Sequence, residues 1–425
     1  MQQGRNLFLA LCLTVLVTGC YSLDTKLSSK SPYYPLERLQ EGSILHIPTG
    51  TMVTEGQLFS YLYGSRVVYV GEAHDNLEHH RVQLRVIKAL EEQYPGSVSV
   101  GMEMFRNSSQ PMLDRWVAGE VDEREFYKEW VKNWGIDYDY YRDILEYVRE
   151  RRIPLIALNA SREQIIALNH RGVEGEGELN SATLPEMDPN DPYHRAMVEA
   201  VYYDPSHNSH GHGKGDFDRF YRMLLLWEET MAETIARHLT EGGKERRMVV
   251  LSGGGHINYG YGIPKRVFRR LSLPYTTILP ISPTITGDKK LAKEKGVKLL
   301  DVELPSAPLH LADFVWATGY ERVENTRPRL GVQLHKKEGR VEIVAVVPGS
   351  AADRGGVRKG DAIESFDGES VTDVSDVQYL VGLKEFGDEA VMGIVRNDES
   401  STITVRFEAP VNEGDDSGGH DSPSH

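Results

Sequence analysis

Two short patterns, Gly71-Glu72-Ala73-His74 and Gly253-Gly254-Gly255-His256, each place a histidine three residues after a glycine, and Glu103 lies between them in the chain. Imidazole and carboxylate are the side chains that exchange protons near neutral pH or hold a transition metal. His74, Glu103 and His256 could bind one divalent ion and leave a position open, with Glu72 as general base toward the bound water. A metal-free version is also open, with His74 as base oriented by Glu72 or Glu103. Nitrogen and oxygen donors do not choose sharply between zinc, manganese and iron. A single histidine after a strand can be a mere cap. Two in equivalent places, with a glutamate between them, read as a site. His79 and His80 cannot both face it, because adjacent helical residues point about 100° apart.

Other chemistries fail on spacing. Asn258 stands where a dinucleotide fingerprint after Gly253 would need its third glycine. Gly213-Lys214 is followed by Gly215, so there is no Walker loop, and neither a His-Glu-x-x-His helix nor a Gly-x-Ser-x-Gly elbow occurs. With 2 cysteines in the chain, a disulfide framework and a cysteine-based metal site are excluded.

The elements that must position these groups follow from the apolar pattern. Runs at 66–71, 98–102, 153–158, 248–252 and 276–281 read as buried strands, separated by amphipathic stretches such as 141–151 and 217–239. Alternating strands and helices predict an α/β domain over 46–310 with a largely parallel sheet flanked by helices. In such a sheet the carboxyl ends of the strands line one crevice, so Glu72, His74, Glu103 and His256 should converge there. Trp130, Trp134, Tyr138, Tyr140 and Tyr141 read as core or as a dimer interface.

The chain has 425 residues, 40% of them hydrophobic, and a formal net charge of -15, which suits two or three domains. The acidic balance excludes a nucleic-acid partner, since phosphate contacts need a basic face. Arg5 followed by the apolar run 7–17 has the layout of an export signal and is too short to span a bilayer. Val17-Thr18-Gly19-Cys20 resembles the bacterial lipobox, which implies removal of 1–19, a lipid on Cys20 and membrane attachment through it. Tyr21 in place of Asp implies the outer membrane, facing the periplasm. The expected order is then a tether over 20–45, the α/β domain, a linker over 311–326, a second domain over 327–410 and a disordered tail over 411–425.

The second domain reads as five short strands, at 329–334, 341–347, 362–366, 390–395 and 402–407, with helices at 350–355 and 374–383. Arg329-Leu330-Gly331-Val332, Val347-Pro348-Gly349-Ser350-Ala351-Ala352 and Gly355-Gly356-Val357-Arg358-Lys359-Gly360-Asp361-Ala362-Ile363 resemble a bacterial PDZ domain. The resemblance implies capture of a protein or peptide C-terminus as an added strand, with Leu330, Gly331 and Val332 at its carboxylate.

The first domain carries a second resemblance. Val70-Gly71-Glu72-Ala73-His74-Asp75, Gly101-Met102-Glu103-Met104-Phe105, Leu226-Trp227-Glu228-Glu229-Thr230-Met231-Ala232 and Gly253-Gly254-Gly255-His256 resemble the ChaN family of haem-binding lipoproteins. That family sits in one superfamily with Tiki-type metalloproteases and erythromycin esterases. The resemblance implies two functions: haem binding in uptake, storage or delivery of haem, or hydrolysis of peptide or ester bonds at the His/Glu crevice. Haem would need an apolar slot and a non-covalent axial donor, since no Cys-x-x-Cys-His is present. Tyr202, Tyr203 and Tyr221 could supply a phenolate, and His207 and His210 stand in the polar segment just after the tyrosine pair. Haem sandwiched between two subunits would imply a homodimer. An inert scaffold is the third reading.

Overall fold

The structure is a computed structural model that describes residues 36–170, 184–203, 214–295, 297, 309–323 and 327–409. His207, His210, Cys20 and the tail fall outside the described residues. The first domain runs β1 (Ile44–His46), β2 (Thr51–Val53), α1 (Glu55–Leu62), β3 (Val67–Glu72), α2 (Leu77–Gln93), β4 (Val98–Arg106), α3 (Gln110–Ala118), α4 (Glu123–Asn133) and α5 (Arg142–Glu150). It continues through β5 (Leu155–Asn159), α6 (Arg162–His170), α7 (Pro192–Tyr202), α8 (Lys214–Glu241), β6 (Arg247–Gly253), α9 (Ile263–Arg270), β7 (Tyr275–Ile281), α10 (Pro283–Thr286), α11 (Lys289–Glu294) and β8 (Phe314–Ala317).

The strands form one sheet in the order β2-β1-β8-β7-β3-β6-β4-β5. From β8 to β5 every pairing is parallel, and β1 and β2 add an antiparallel edge. The five expected strands are all present, as the α/β reading required. Successive side chains on a strand point to opposite faces. Val68 and Val70 of β3 therefore pack with α2, α3, α4 and α5, while Val67 and Tyr69 pack with Met231 and Ile235 of α8 and Val267 of α9. Both faces are covered, which is why β3 is apolar at nearly every position. Inside the first face, Trp116 of α3 stacks on Phe126 of α4 with centroids 4.2 Å apart.

Helix starts follow their caps. Thr54 and Gln57 form a capping box on α1, and Asn76 accepts from the Glu78 amide at the start of α2. A cap of this kind contributes about 1 kcal/mol.

The stretch expected as a linker differs. Phe314–Ala317 is β8, a strand of the main sheet between β7 and β1, and β1 begins inside the segment expected as tether. Residues 318–323 are then pinned along the start of α2. Leu77 N donates to Glu321 O at 2.7 Å, Asn76 Nδ2 to Gly319 O at 3.1 Å, and Tyr320 and Arg322 both reach Asp75 Oδ2 at 2.7 Å. A four-residue strand with polar flanks carries too little pattern to be told from a loop.

The second domain runs β9 (Val332–Lys337), β10 (Arg340–Val346), α12 (Ala351–Arg354), β11 (Ala362–Phe366), β12 (Glu369–Ser370), α13 (Val374–Gly382), β13 (Glu389–Arg396) and β14 (Glu399–Arg406). Its sheet has the order β14-β13-β11-β10-β9, all antiparallel, so β9 is an edge. β9 starts at Val332, later than expected, because Gly331 has φ +78 and interrupts the extended backbone. Among the described residues no helix is long and apolar enough to cross a membrane.

Candidate functional site

The strand ends bring the expected residues together. Glu72 closes β3 and is the register partner of Gly253 on β6; Glu103 lies on β4, and His256 on the turn after β6. The backbones approach closely there: a Cβ on Gly71 would lie 3.2 Å from Gly254 Cα, and one on Gly253 3.1 Å from His74 Cε1. Glycine at these two positions lets the crevice close.

Glu72 is the hub of one half. Its Oε1 lies 2.6 Å from His74 Nδ1 and accepts from Tyr141 OH at 2.5 Å, and its Oε2 accepts from Gln83 Nε2 at 2.6 Å, with His80 Nδ1 3.4 Å away. Burial alone would raise this carboxyl, but His80 and His74 outweigh it and hold Glu72 well below the usual carboxylate range. Burial also opposes charge on His74, and its hydrogen bond to Glu72 reverses the balance, so its pKa is raised. His74 Nε2 has no hydrogen-bond partner among the described residues. The ring is one-third exposed and stands edge-on to Trp134, with centroids 5.0 Å apart.

His256 is the hub of the other half, and both of its nitrogens are taken. Nε2 faces Glu103 Oε1 at 3.3 Å and Nδ1 faces Glu228 Oε1 at 3.1 Å, while Glu103 Oε2 accepts from Gly253 N at 2.7 Å. Burial opposes its charge, but the two carboxylates raise His256 to about 10, so the ring is an imidazolium. From Glu228 the network continues outward: His194 Nε2 lies 3.3 Å from Glu228 Oε2, and His194 Nδ1 lies 3.1 Å from Tyr221 OH.

The expected metal set does not form. His256 turns its two nitrogens toward Glu228 and Glu103, at 3.1 and 3.3 Å. Among the described residues, no group of three or more His, Cys, Asp or Glu is placed to hold an ion.

Tyr221, expected as a haem donor, is buried with its hydroxyl on His194 and its phenol pushed up to about 12 by burial. Tyr202 and Tyr203 close α7 and pack edge-on to each other beside Phe217, in a small cluster of their own with Leu225 and Val198. Of the aromatic group, Trp130, Tyr138 and Tyr141 are core, while Trp134 borders the crevice. His79 is buried with Nδ1 accepting from Ala73 N, and His80 reaches Glu72 and the His74 carbonyl.

Sequence reasoning did not single out Glu228, His194, Gln83 or Trp134 as site residues. Glu228-Glu229 was the available signal, a pair of carboxylates inside the apolar stretch 224–236. Glu228 serves His256, and Glu229 receives Arg269 and Arg270 of α9.

Residues 58–267 match the family described as haem-binding uptake, Tiki superfamily, ChaN, and residues 328–407 match the PDZ domain family. Residues 58–267 are a ChaN-like domain. Protein RETICULATA-RELATED 5, chloroplastic, of Arabidopsis thaliana is 21% identical over 308 residues, covering 66% of this chain and 37% of that protein. A probable periplasmic serine endoprotease, DegP-like, of Marinomonas sp. (strain MWYL1) is 31% identical over 71 residues, covering 17% of this chain and 15% of that protein. The chain thus spans well under two thirds of either relative. The structure of ChaN of Campylobacter jejuni, described as showing cofacial heme binding, is 17% identical and covers 65% of this chain and 98% of its own, with a TM-score of 0.48.

In the PDZ domain, a Cβ on Gly331 would lie 2.1 Å from Ser350 Cβ, so only glycine fits. The carbonyls of Leu330 and Gly331 accept from Ala352 N and Val347 N at 2.9 and 2.8 Å. Leu330 is buried and Val332 half-buried at the start of the open edge β9.

Proposed function

We propose that this chain is a haem-binding protein of the cell envelope, held by a lipid on Cys20 at the outer membrane, that handles haem in iron uptake. Its PDZ domain would recruit a protein through its C-terminus. The observation that carries the reading is the state of the two crevice histidines. His256 is saturated by carboxylates, and His74 keeps one uncommitted nitrogen, oriented through Nδ1 by Glu72.

A catalytic divalent ion asks three ligands of a protein, and the crevice does not present them. Haem brings four nitrogens of its own and asks one or two. His74 is the donor the crevice offers, with Trp134 as an apolar wall; Tyr202 and Tyr203 are the phenolic donors at the end of α7. Bound haem would supply the iron and the broad apolar ring. The chain's own part is to fix the His74 ring with Glu72, Tyr141 and Gln83, and to keep His256 charged.

Absorbance titration of the purified chain with haem tests this. A Soret band saturating at a defined stoichiometry, weakened by His74→Ala or by Tyr202→Phe and Tyr203→Phe, is expected. Absence of saturable binding overturns the reading.

One observation favours a second reading. A carboxylate that orients an imidazole through Nδ1 is also the geometry of a general base, which suits a metal-free esterase or peptidase with the PDZ domain presenting substrate. Ester or peptide turnover that is lost in His74→Ala and is insensitive to chelator would establish it.

A further inference from the structure

The PDZ domain is not merely strung after the ChaN-type domain; the outer face of α13 rests on α4. Arg124 is the anchor. Its Nε donates to Asp376 Oδ1 at 2.8 Å and its Nη1 to Glu369 Oε2 at 3.1 Å, and Nη2 reaches the Ser370 carbonyl. Lys128, one turn on, places Nζ 2.6 Å from the same Asp376 oxygen. Asp376 is fully buried, and its other oxygen caps α13 through Thr372 and Asp373. Tyr127 packs on Tyr379 with centroids 5.5 Å apart, and Arg327 pairs with Asp139 at 2.5 Å. A carboxylate buried between two cations from another domain is costly unless its partners stay in place.

On α13 the docking uses Asp376 and Tyr379. Spacings of three and four put Asp376, Tyr379 and Leu383 on one stripe and Val374, Gln378 and Val381 on another. At the start of α13, Asp373 is paired with Lys336 of β9 at 2.9 Å.

The far end of α4 enters the crevice. Trp134 caps the helix and stands against His74. Trp130 packs on Tyr141 at 4.8 Å, and Tyr141 donates to Glu72. One helix of eleven residues therefore touches the PDZ domain with Arg124, Tyr127 and Lys128, and both members of the Glu72–His74 pair through Trp130 and Trp134.

We propose that the PDZ domain is a docked module whose seating on α4 is transmitted to the Glu72–His74 pair, so that a protein tail in the PDZ groove and a ligand in the crevice are coupled. The coupling would be reciprocal, as any linkage between two binding sites must be. Its biological sense rests on the crevice being the ligand site proposed above. Its physical test uses no haem, so the two readings fail separately.

The test uses the full chain with histidine labelled at the ring nitrogens. Small-angle scattering reads the docking and NMR reads the His74 ring, assigned by comparison with His74→Gln. Arg124→Glu with Lys128→Glu should increase the radius of gyration and shift the His74 ring signals, while His238, on the far part of α8, stays unchanged. Tyr379→Ala, which leaves Asp376 and its cap intact, should move both readouts in the same direction. In a Trp134→Phe background the displacement of His74 on release should shrink. Release without any change at His74 overturns the coupling. A wild-type chain that is already extended, or no release in either variant, overturns the docking.

Discussion

Glu228 Oε1 lies 3.1 Å from His256 Nδ1, so a carboxylate from the middle of α8 holds the histidine that follows β6. Glu228 is fully buried and also meets His194 and Arg266, which makes it the centre of the charge balance on that side of the sheet. Glu228→Gln leaves two cationic groups with one carboxylate fewer. Breaking a buried pair of this kind costs about 3–5 kcal/mol. A denaturant titration should show a lower midpoint with an unchanged slope.

Two glycines of the crevice should respond differently to alanine. At Gly253 the new methyl would meet the His74 ring, 3.1 Å from Cε1 and 3.2 Å from Nε2. A partly exposed ring can yield, so Gly253→Ala should keep the fold and change haem affinity several-fold. At Gly262 the methyl would meet the His256 carbonyl oxygen at 2.1 Å, and backbone has nowhere to go. Gly262→Ala should lower Tm sharply, an overpacking cost of about 1–3 kcal/mol or more. Equal effects from the two substitutions on Tm would contradict this.

Acid should act on the domain contact at a defined place. Burial pushes Asp376 up, but hydrogen bonds from Lys128, the Thr372 amide and Arg124 outweigh it and hold the carboxyl at about 2, below its ordinary 3.8. A depressed folded pKa means that the contribution is complete above the ordinary value and is lost as pH falls toward the folded one. The Tm difference between wild type and Asp376→Asn should therefore be constant above about pH 4 and shrink toward about pH 2. A difference that changes between pH 5 and 8 would point to another group.

Chelation should be without consequence. With His256 saturated, treatment with EDTA or phenanthroline should leave Tm unchanged, and metal analysis of the purified chain should find no stoichiometric zinc or manganese. One equivalent of metal that disappears in His74→Ala would refute the assignment of both His256 nitrogens to carboxylates.

The sequence shows the first half of the crevice well, because Glu72, Glu103 and the two histidines sit directly after apolar runs that can only be strands. A parallel sheet sends all such ends to one side, so their convergence follows from topology alone. What it hides is the partner of each group. Glu228 is on a helix whose apolar stripe masks it, and Gln83, eleven residues after Glu72, turns inward only because α2 packs over β3. The role of His256 as a cation, in place of a metal ligand, depends on those partners and could not be read from a Gly-x-x-His spacing. β8 was hidden for a different reason: four residues between β7 and β1 acquire their meaning from β1, which lies about 270 positions earlier.

That same pairing of β1 with β8 has a mechanical side. Ile44 faces Trp316 and His46 faces Phe314, so the entry to β1 and the exit from β8 lie at the same end of the ladder. A pull between the N-terminal segment and the PDZ domain would load this ladder in a peeling geometry, one hydrogen bond after another, instead of shearing all three residue pairs together. Once residues 318–323 come off α2, the antiparallel edge is thus the next part loaded, and β3, β6 and β4, which carry the crevice, lie beyond it.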